Sequence, residues 1–208
     1  MSGGYLSSED SALLRGVLRS FVGENALEIG AGNGGNLVAL ANGFNMVVGT
    51  DLVVPGMTDW KESGTSYLLA DGASCIRPHS FDIVAFNPPY LRGKPEEDAA
   101  TNAGDAFEVP LRFLREALNA VKSEGRIVML LNDQAPIHRF EAECVEHGFG
   151  MMKVAAKHLF FEELAVYVAS RDPTRRDGTA IDKVAACRGP TPVPGFAYTK
   201  SGDRERVP

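Results

Sequence analysis

The feature that most constrains the fold is a series of five short apolar runs, at residues 25–29, 46–50, 67–70, 82–86 and 125–131. Segments with apolar side chains at helical spacing occupy residues 9–21, 34–42, 107–122 and 136–147. Buried strands that alternate with helices form a mostly parallel sheet covered on both faces. Two last runs, 150–156 and 164–169, predict a closing antiparallel hairpin. The sequence therefore predicts an α/β, Rossmann-like sheet of seven strands.

Composition divides the chain near residue 170. From Arg171 onward there are 8 Lys/Arg and 5 Asp/Glu, a net charge of +3, so the remainder carries −9 of the total of −6. No apolar periodicity continues there, and residues 188–195 are rich in proline and glycine. We predict one domain over residues 1–170 and a flexible basic tail over 171–208. The acidic body argues against tight non-specific binding to nucleic acid, because that affinity comes from neutralising phosphates.

Metal and membrane association are also disfavoured. The three cysteines and four histidines match no metal-binding spacing. No apolar run approaches the roughly 18 residues that a membrane span needs. Residues 1–10 are polar and acidic, unlike a secretory signal. We expect a cytoplasmic protein without a metal site.

A glycine-rich turn follows the first strand and predicts a ligand site. Gly30 and Gly32 allow a tight turn and a close approach of the backbone to a ligand. Asp51 ends the second strand, 21 residues after Gly30, where an acid can accept hydrogen bonds from both ribose hydroxyls. Asp71 ends the third strand and could accept from an adenine amino group, although an aspartate before Gly72 is equally plausible as a turn residue.

Polar groups at the ends of successive parallel strands converge on one edge of the sheet, where open α/β sheets bind ligands. Glu28, just ahead of the glycines, would repel a pyrophosphate but could pair with an ammonium group. S-adenosylmethionine carries an amino-acid ammonium and NAD does not. The pattern therefore favours S-adenosylmethionine over a dinucleotide.

The most specific signal is the fourth strand, which runs directly into Asn87, Pro88, Pro89 and Tyr90. An amide nitrogen is a poor nucleophile, and it gains positive charge as it attacks a methyl group. The Asn87 side-chain oxygen and the Pro88 carbonyl can accept its two N–H bonds and stabilise that charge. The prolines fix the loop in advance, and Tyr90 can stack on a flat substrate group. These residues predict N-methylation of a planar amide or amino group.

Residues 82–90 resemble motif IV of the amino methyltransferases. Two further segments are similar to sequences from one group of these methyltransferases. They are the opening segment 5–14, Tyr-Leu-Ser-Ser-Glu-Asp-Ser-Ala-Leu-Leu, and the closing segment 139–168. The full set resembles the archaeal and eukaryotic HemK-type glutamine methyltransferases of class I release factors, over roughly residues 5–170. The resemblance implies the class I methyltransferase fold, with strand order 3-2-1-4-5-7-6.

The resemblance also implies the substrate, the partner and the site residues. The substrate would be the glutamine of a Gly-Gly-Gln loop in a release factor, and the partner a small zinc-binding activator subunit. The apolar edge strand at residues 67–70 is the predicted docking position for that subunit. Cofactor contacts are predicted at Ser11, Glu28, Gly30, Gly32, Asp51, Asp71, Gly72 and Asn87. Catalysis is assigned to Asn87, Pro88 and Tyr90, and substrate binding to Asn87, Pro88, Pro89, Tyr90 and Leu91.

Three departures from the family pattern are visible, the first of which is the basic tail. The chain between Asp51 and Tyr67 is short and contains Pro55, Gly56 and Gly64, which indicates a loop in place of a crossover helix. The stretch 102–105 replaces a segment that is usually richer in Trp and Gly.

Three other functions fit parts of the pattern. A DNA or RNA adenine methyltransferase would use the same Asn-Pro-Pro-Tyr chemistry, but the acidic body and the lack of an inserted recognition domain disfavour it. A non-catalytic scaffold would not need Gly30, Asp51 and Asn87. A nicotinamide dehydrogenase is disfavoured by Glu28 and by the Asn-Pro-Pro-Tyr loop.

Overall fold

A computed structural model describes residues 8–53, 64–90, 102–104, 107–159 and 162–171 of the chain. The strands are β1 Gly23–Ile29, β2 Phe44–Asp51, β3 Ser66–Leu69, β4 Phe81–Phe86, β5 Val121–Asn132, β6 Gly150–His158 and β7 Glu163–Ser170. The helices in this part are α1 Ser8–Leu18, α2 Gly35–Ala41, α3 Glu108–Ala120 and α4 Ile137–Glu146.

The strands form one sheet in the order β3-β2-β1-β4-β5-β7-β6. β1 pairs in parallel with β2 and β4, and the parallel region extends to β3 on one side and β5 on the other. β7 runs antiparallel to both β5 and β6. The predicted α/β sheet with a C-terminal antiparallel hairpin is confirmed, as is the order that the resemblance implied.

The sheet has a hydrophobic core on each face, because successive strand residues point to opposite sides. On one face, Leu14 of α1 and Leu37 of α2 pack with Ala26, Ile83 and Val128 of the central strands. On the other face, α3 and α4 cover the sheet through the buried residues Leu111, Leu114 and Phe140, which pack with Leu27, Val84 and Ile127. The three central strands that carry these residues, β1, β4 and β5, are therefore held between two layers of helices.

The sequence misplaced the junction between α3 and β5. The expected helix reaches residue 122 and the expected strand starts at 125, whereas the structure ends α3 at Ala120 and begins β5 at Val121. Val121 already has extended backbone and pairs with Phe81, and the register then shifts before Ile83 pairs with Arg126. The Lys122–Asp82 ion pair, at 2.7 Å, joins the two strands at this irregularity. Apolar spacing alone does not reveal such a shift.

Among the described strands, β3 is the outer strand at one edge of the sheet and pairs with β2 alone. Leu68 and Leu69 of β3 are 41% and 66% exposed, and Met46 of β2 is 44% exposed. This set of edge residues will be called the β3 edge.

Several expectations lie outside the described residues. The short segment between β2 and β3 falls mostly within residues 54–63, and the predicted tail falls within residues 172–208. The division at residues 170–171 therefore stays a prediction, although β7 ends at Ser170. Among the helices of the described part, none is long and apolar enough to cross a membrane.

Candidate active site

The predicted site residues follow four strands that are neighbours in the sheet. Gly30 follows β1, Asp51 ends β2, Asp71 follows β3 by two residues, and Asn87 follows β4. Since β3, β2, β1 and β4 lie side by side and run parallel, these residues share the carboxyl edge of the sheet. Ile29 and Phe86 are paired across β1 and β4, which places Gly30 next to Asn87.

The turn after β1 depends on its glycines. Gly30, Gly32 and Gly34 have φ values of 71°, 53° and 80°, in the left-handed region that glycine adopts without strain. The backbone N–H groups of Gly30 and Ala31 both donate to the Thr50 carbonyl of β2, at 2.9 Å. A side chain at Gly30 would also crowd the Phe113 ring, 3.2 Å from the position of its Cβ. The turn is thus fixed against its neighbouring strand.

Asp51 joins the ends of β1 and β2. Its Oδ2 accepts a hydrogen bond from the Gly32 N–H at 2.8 Å, and its Oδ1 accepts one from the Val53 N–H at 3.1 Å. The Tyr67 hydroxyl donates to the Gly32 carbonyl at 3.0 Å. A carboxylate has about four acceptor sites, so Asp51 retains capacity for a ligand hydroxyl.

Glu28 is a buried acid, only 1% exposed, on the face of β1 that α1 and α2 cover. Its Oε1 accepts a hydrogen bond from Asn36 Nδ2 of α2 at 2.6 Å. Burial raises the pKa of Glu28 to about 8, and the nearby charge of Asp51 adds to this shift. The Asn36 hydrogen bond and the Arg15 guanidinium of α1 lower the pKa and offset part of the shift.

Buried polar side chains concentrate at the same edge. Glu28, Asn36, Thr50 and Asn132 are buried, and Thr50 and Asn132 lie at or next to the carboxyl ends of β2 and β5. Within the described residues, Glu28 Oε2, Asn36 Oδ1, Thr50 Oγ1 and both side-chain polar atoms of Asn132 have no hydrogen-bond partner. Buried polar atoms normally are hydrogen-bonded, since leaving one unsatisfied costs about 1–3 kcal/mol. Their concentration here indicates a site for a polar ligand.

The Asn-Pro-Pro-Tyr segment lies against this site. Asn87 is half-buried with a buried Oδ1, Pro88 and Tyr90 are buried, and Pro89 is half-buried. Leu91 lies outside the described residues. Ser11 lies in α1, which packs on the same face of the sheet as Glu28.

The turn after β3 is attached to α3. Asp71 Oδ1 accepts from Arg112 at 2.7 Å, and the Ala73 N–H donates to Glu116 at 2.5 Å. Gly72, between them, has a φ of 62°. Sequence reasoning did not single out Arg112 and Glu116, nor Asn36, Arg15 and Asn132. The i,i+4 charge pair of Arg112 and Glu116 is a visible signal, but such pairs are common on exposed helix faces.

Comparison with known proteins supports this description. No protein-family profile matches the chain. A protein of Methanocaldococcus jannaschii, named "Putative protein N5-glutamine methyltransferase", is 29% identical over 181 residues, covering 80% of this chain and 91% of the relative. The Mtq2–Trm112 complex of E. cuniculi, described as responsible for methylation of the eRF1 translation termination factor, aligns with a TM-score of 0.65 and 23% identity. That alignment covers 80% of this chain and 98% of the other.

A further structural neighbour is a putative methyltransferase from Streptococcus mutans, which was solved in complex with SAH. It aligns with a TM-score of 0.58 and 15% identity, over 78% of this chain and 97% of the other. The fold is that of the class I methyltransferases. In sequence, the chain is similar to a protein named as a putative protein N5-glutamine methyltransferase, which agrees with the resemblance carried by residues 82–90 and their flanking segments.

The buried state of Glu28 predicts a pH-dependent stability. The folded chain holds a proton at Glu28 up to about pH 8, whereas the unfolded chain releases it near pH 4.5. The free energy of unfolding of the wild type should therefore fall, relative to Glu28→Gln, by up to roughly 1.4 kcal/mol per pH unit between these values. Urea unfolding of both proteins from pH 5 to pH 8 measures the difference.

The control is Glu24→Gln, at an exposed position of the same strand. A constant difference between wild type and Glu28→Gln across this range would show that Glu28 is ionised in the folded chain throughout.

Proposed function

We propose that this protein transfers a methyl group from S-adenosylmethionine to the side-chain amide nitrogen of glutamine in the Gly-Gly-Gln loop of a peptide chain release factor. The observation that supports this proposal is the pairing of β1 with β4. Ile29 is opposite Phe86, so the Asn87-Pro88-Pro89-Tyr90 segment and the glycine turn leave neighbouring strand ends. The relative named as an N5-glutamine methyltransferase supports the choice of substrate.

The residues at the strand ends fit the proposed cofactor. Glu28 Oε2 is buried and lacks a partner within the described residues, so it could accept a hydrogen bond from the amino-acid ammonium. Asp51 is attached to the glycine turn with acceptor sites to spare for ribose hydroxyls. Gly30 and Gly32 allow close approach, and Asp71 and Gly72 would lie at the adenine end. Ser11 and Asn87 complete the proposed cofactor-binding set.

Three acids at this edge also suit a positively charged cofactor. Glu28, Asp51 and Asp71 all lie at the ends of adjacent strands, and Asp51 is near enough to Glu28 to raise its pKa. A sulfonium ion and an ammonium ion are stabilised by such surroundings, whereas a pyrophosphate is repelled. When bound, S-adenosylmethionine supplies an electrophilic methyl group.

The substrate side of the reaction is assigned to Asn87 and Pro88. The Asn87 Oδ1 and the Pro88 carbonyl accept the two N–H groups of the substrate amide, which orients its nitrogen and stabilises the positive charge that develops on it. Pro88 and Pro89 hold these acceptors in place before the substrate arrives. Tyr90, and Leu91 after it, would contact the flat amide group and the adjoining chain. The proton leaves after the transfer, so no general base is needed.

A small activator subunit is the proposed partner, and we place it at the β3 edge. The E. cuniculi neighbour is a complex of two chains, Mtq2 and Trm112. The β3 edge is the outer strand among those described, and it offers exposed apolar side chains at Met46, Leu68 and Leu69. An extended segment of the partner could add to this strand and cover those side chains.

The proposed function is tested by incubating the chain, a candidate activator and labelled S-adenosylmethionine with a release factor or with nucleic acid. Mass spectrometry should locate one methyl group on the glutamine of the Gly-Gly-Gln loop. Asn87→Ala should lower kcat by at least roughly 100-fold, since it removes a group that stabilises the transition state. Cofactor affinity should fall much less than kcat, because Asn87 is only one of the eight proposed cofactor contacts.

Asn87→Asp keeps an acceptor oxygen at the same position and should retain more activity than Asn87→Ala. Near-normal turnover in Asn87→Ala would refute the assigned chemistry. Methyl transfer to nucleic acid, without transfer to the release factor, would establish the adenine methyltransferase in place of the proposed function.

Cofactor binding should release a proton near pH 6.5. At that pH Glu28 is protonated in the folded chain, and pairing with an ammonium group favours its ionised form. Calorimetric titration with S-adenosylhomocysteine, which carries the same ammonium group, should give binding enthalpies that depend on the ionisation enthalpy of the buffer. Glu28→Gln should abolish that dependence, and its persistence in this variant would exclude Glu28 as the source of the proton.

Docking at the β3 edge is tested by a proline at Leu69. The Ala70 N–H donates to the Asp51 carbonyl of β2, and N–H groups alternate sides along a strand, so the Leu69 N–H faces the open edge. Leu69→Pro should therefore weaken activator binding by at least about tenfold in a pull-down or titration. Leu69→Ala is the control, because it removes the leucine side chain but keeps the N–H. A larger loss of binding in Leu69→Pro than in Leu69→Ala measures the contribution of backbone pairing. Unchanged binding by Leu69→Pro would place the activator elsewhere.

A further inference from the structure

The turn after β3 is held against α3 by a network of three charged side chains. Arg112 donates to Asp71 Oδ1 at 2.7 Å and to Glu116 Oε1 at 3.4 Å. Glu116 Oε2 accepts the Ala73 N–H at 2.5 Å. One helix therefore fixes both the Asp71 side chain and the backbone of the turn that carries it.

Gly72 shows how closely α3 fits this turn. Its φ of 62° is in the left-handed region, and a Cβ at this position would collide with the Glu116 carboxylate. The Glu116 side chain is only 18% exposed, and Ala73 is buried. The carboxylate lies directly on the backbone of the turn, where a side chain would otherwise stand.

Arg112 is also restrained on its other side. Its guanidinium lies 5.5 Å from the centre of the Phe113 ring, and Phe113 packs edge-on against Phe86 and close to Gly30. Arginine stacked on an aromatic ring loses part of its rotational freedom. The direction of the Arg112 side chain, and with it the direction of the Asp71 carboxylate, is thereby defined.

The Asp71–Arg112 ion pair contributes little to folding stability. The Asp71 and Arg112 side chains are 59% and 40% exposed, and exposed ion pairs of this kind are worth little because water and salt screen them. The more important effect of the network is to orient the Asp71 side chain. Arg112 orients Asp71 at the edge of the sheet through Oδ1, and within the described residues no side chain pairs with Oδ2. A carboxylate oxygen has lone pairs with which it can accept from a ligand.

We propose that Arg112 and Glu116 are positioning residues that give the site its specificity for adenine, by directing the Asp71 carboxylate at the exocyclic amino group. The proposal rests on the proposed function, in which Asp71 lies at the adenine end of the cofactor. An adenine amino group donates a hydrogen bond to Asp71. A hypoxanthine ring presents a carbonyl oxygen in its place, which would leave a carboxylate facing another acceptor.

The experiment compares S-adenosylhomocysteine with S-inosylhomocysteine by calorimetric titration. In the second compound a carbonyl oxygen replaces the 6-amino group, and the neighbouring N1 carries a hydrogen. The wild type should bind the adenosine compound about 10–100-fold more tightly, as expected for a hydrogen bond to a charged acceptor. Arg112→Ala should reduce this ratio several-fold, mainly by weakening the adenosine compound. Asp71→Asn should reduce it further, because it removes the charged acceptor itself.

Two control variants separate positioning from a general effect on the fold. Arg115→Ala removes a neighbouring arginine of α3, which pairs with Glu143 at 2.8 Å instead of with the turn, and should leave the ratio unchanged. Glu116→Gln retains an oxygen that can accept the Ala73 N–H, so it should keep more of the ratio than Glu116→Ala. A merely structural role for Arg112 would weaken both ligands equally and leave the ratio at its wild-type value, which would overturn the proposal.

The outcomes also distinguish a failure of this proposal from a failure of the proposed function on which it rests. If the wild type binds neither compound, the proposed cofactor is wrong and the specificity proposal falls with it. If the wild type discriminates and Arg112→Ala discriminates equally well, only the positioning role is wrong.

Discussion

The pairing of β1 with β4 is the constraint on which the site depends. The chain builds β1, β2 and β3 outward in one direction and then returns to place β4 on the other side of β1. The register matches Ile29 with Phe86, so the two segments that leave the strands, at Gly30 and Asn87, start side by side. Where the strand order of a sheet reverses direction, the loops that follow the two neighbouring strands lead to opposite faces of the sheet and leave a cleft between them. The proposed methyl donor and acceptor groups meet there because of a single strand pairing.

Polar burial at this edge shows a conflict between folding and function. Glu28, Thr50 and Asn132 place oxygen or nitrogen atoms inside the fold without a hydrogen-bond partner in the described part of the chain. Apolar residues of similar size would remove the cost of these unsatisfied groups. Elsewhere the strands follow that rule, with Leu27, Val84 and Ile127 fully buried in the core. The polar residues buried at the strand ends along this edge are therefore best explained by ligand binding, because a ligand could form hydrogen bonds with some of their unpaired atoms.

The sequence was sufficient for the fold and for the convergence of four strand ends at one edge of the sheet, because both follow from local patterns. Apolar runs that end at Gly30, Asp51, Asp71 and Asn87 gave the strands, and parallel strands bring their ends together. The register shift at the start of β5 was missed, because it depends on pairing between Phe81 and Val121, which are far apart in sequence. Arg112 and Glu116 were missed for a related reason. Their partners, Asp71 and Ala73, lie on a distant turn, and nothing in helical spacing indicates which charged residues of α3 point toward it.

The β3 edge has a consequence for the chain in isolation. Among the described strands β3 is outermost, and with the exposed apolar side chains of Leu68 and Leu69 such a strand can pair with the same strand of another copy as well as with a partner. The formal charge of −6 gives only modest repulsion between copies, and less at higher salt. Self-association along this strand is therefore the expected behaviour of the isolated chain. Synthesis together with a subunit that caps it would protect the protein from aggregation before the site ever meets its substrate.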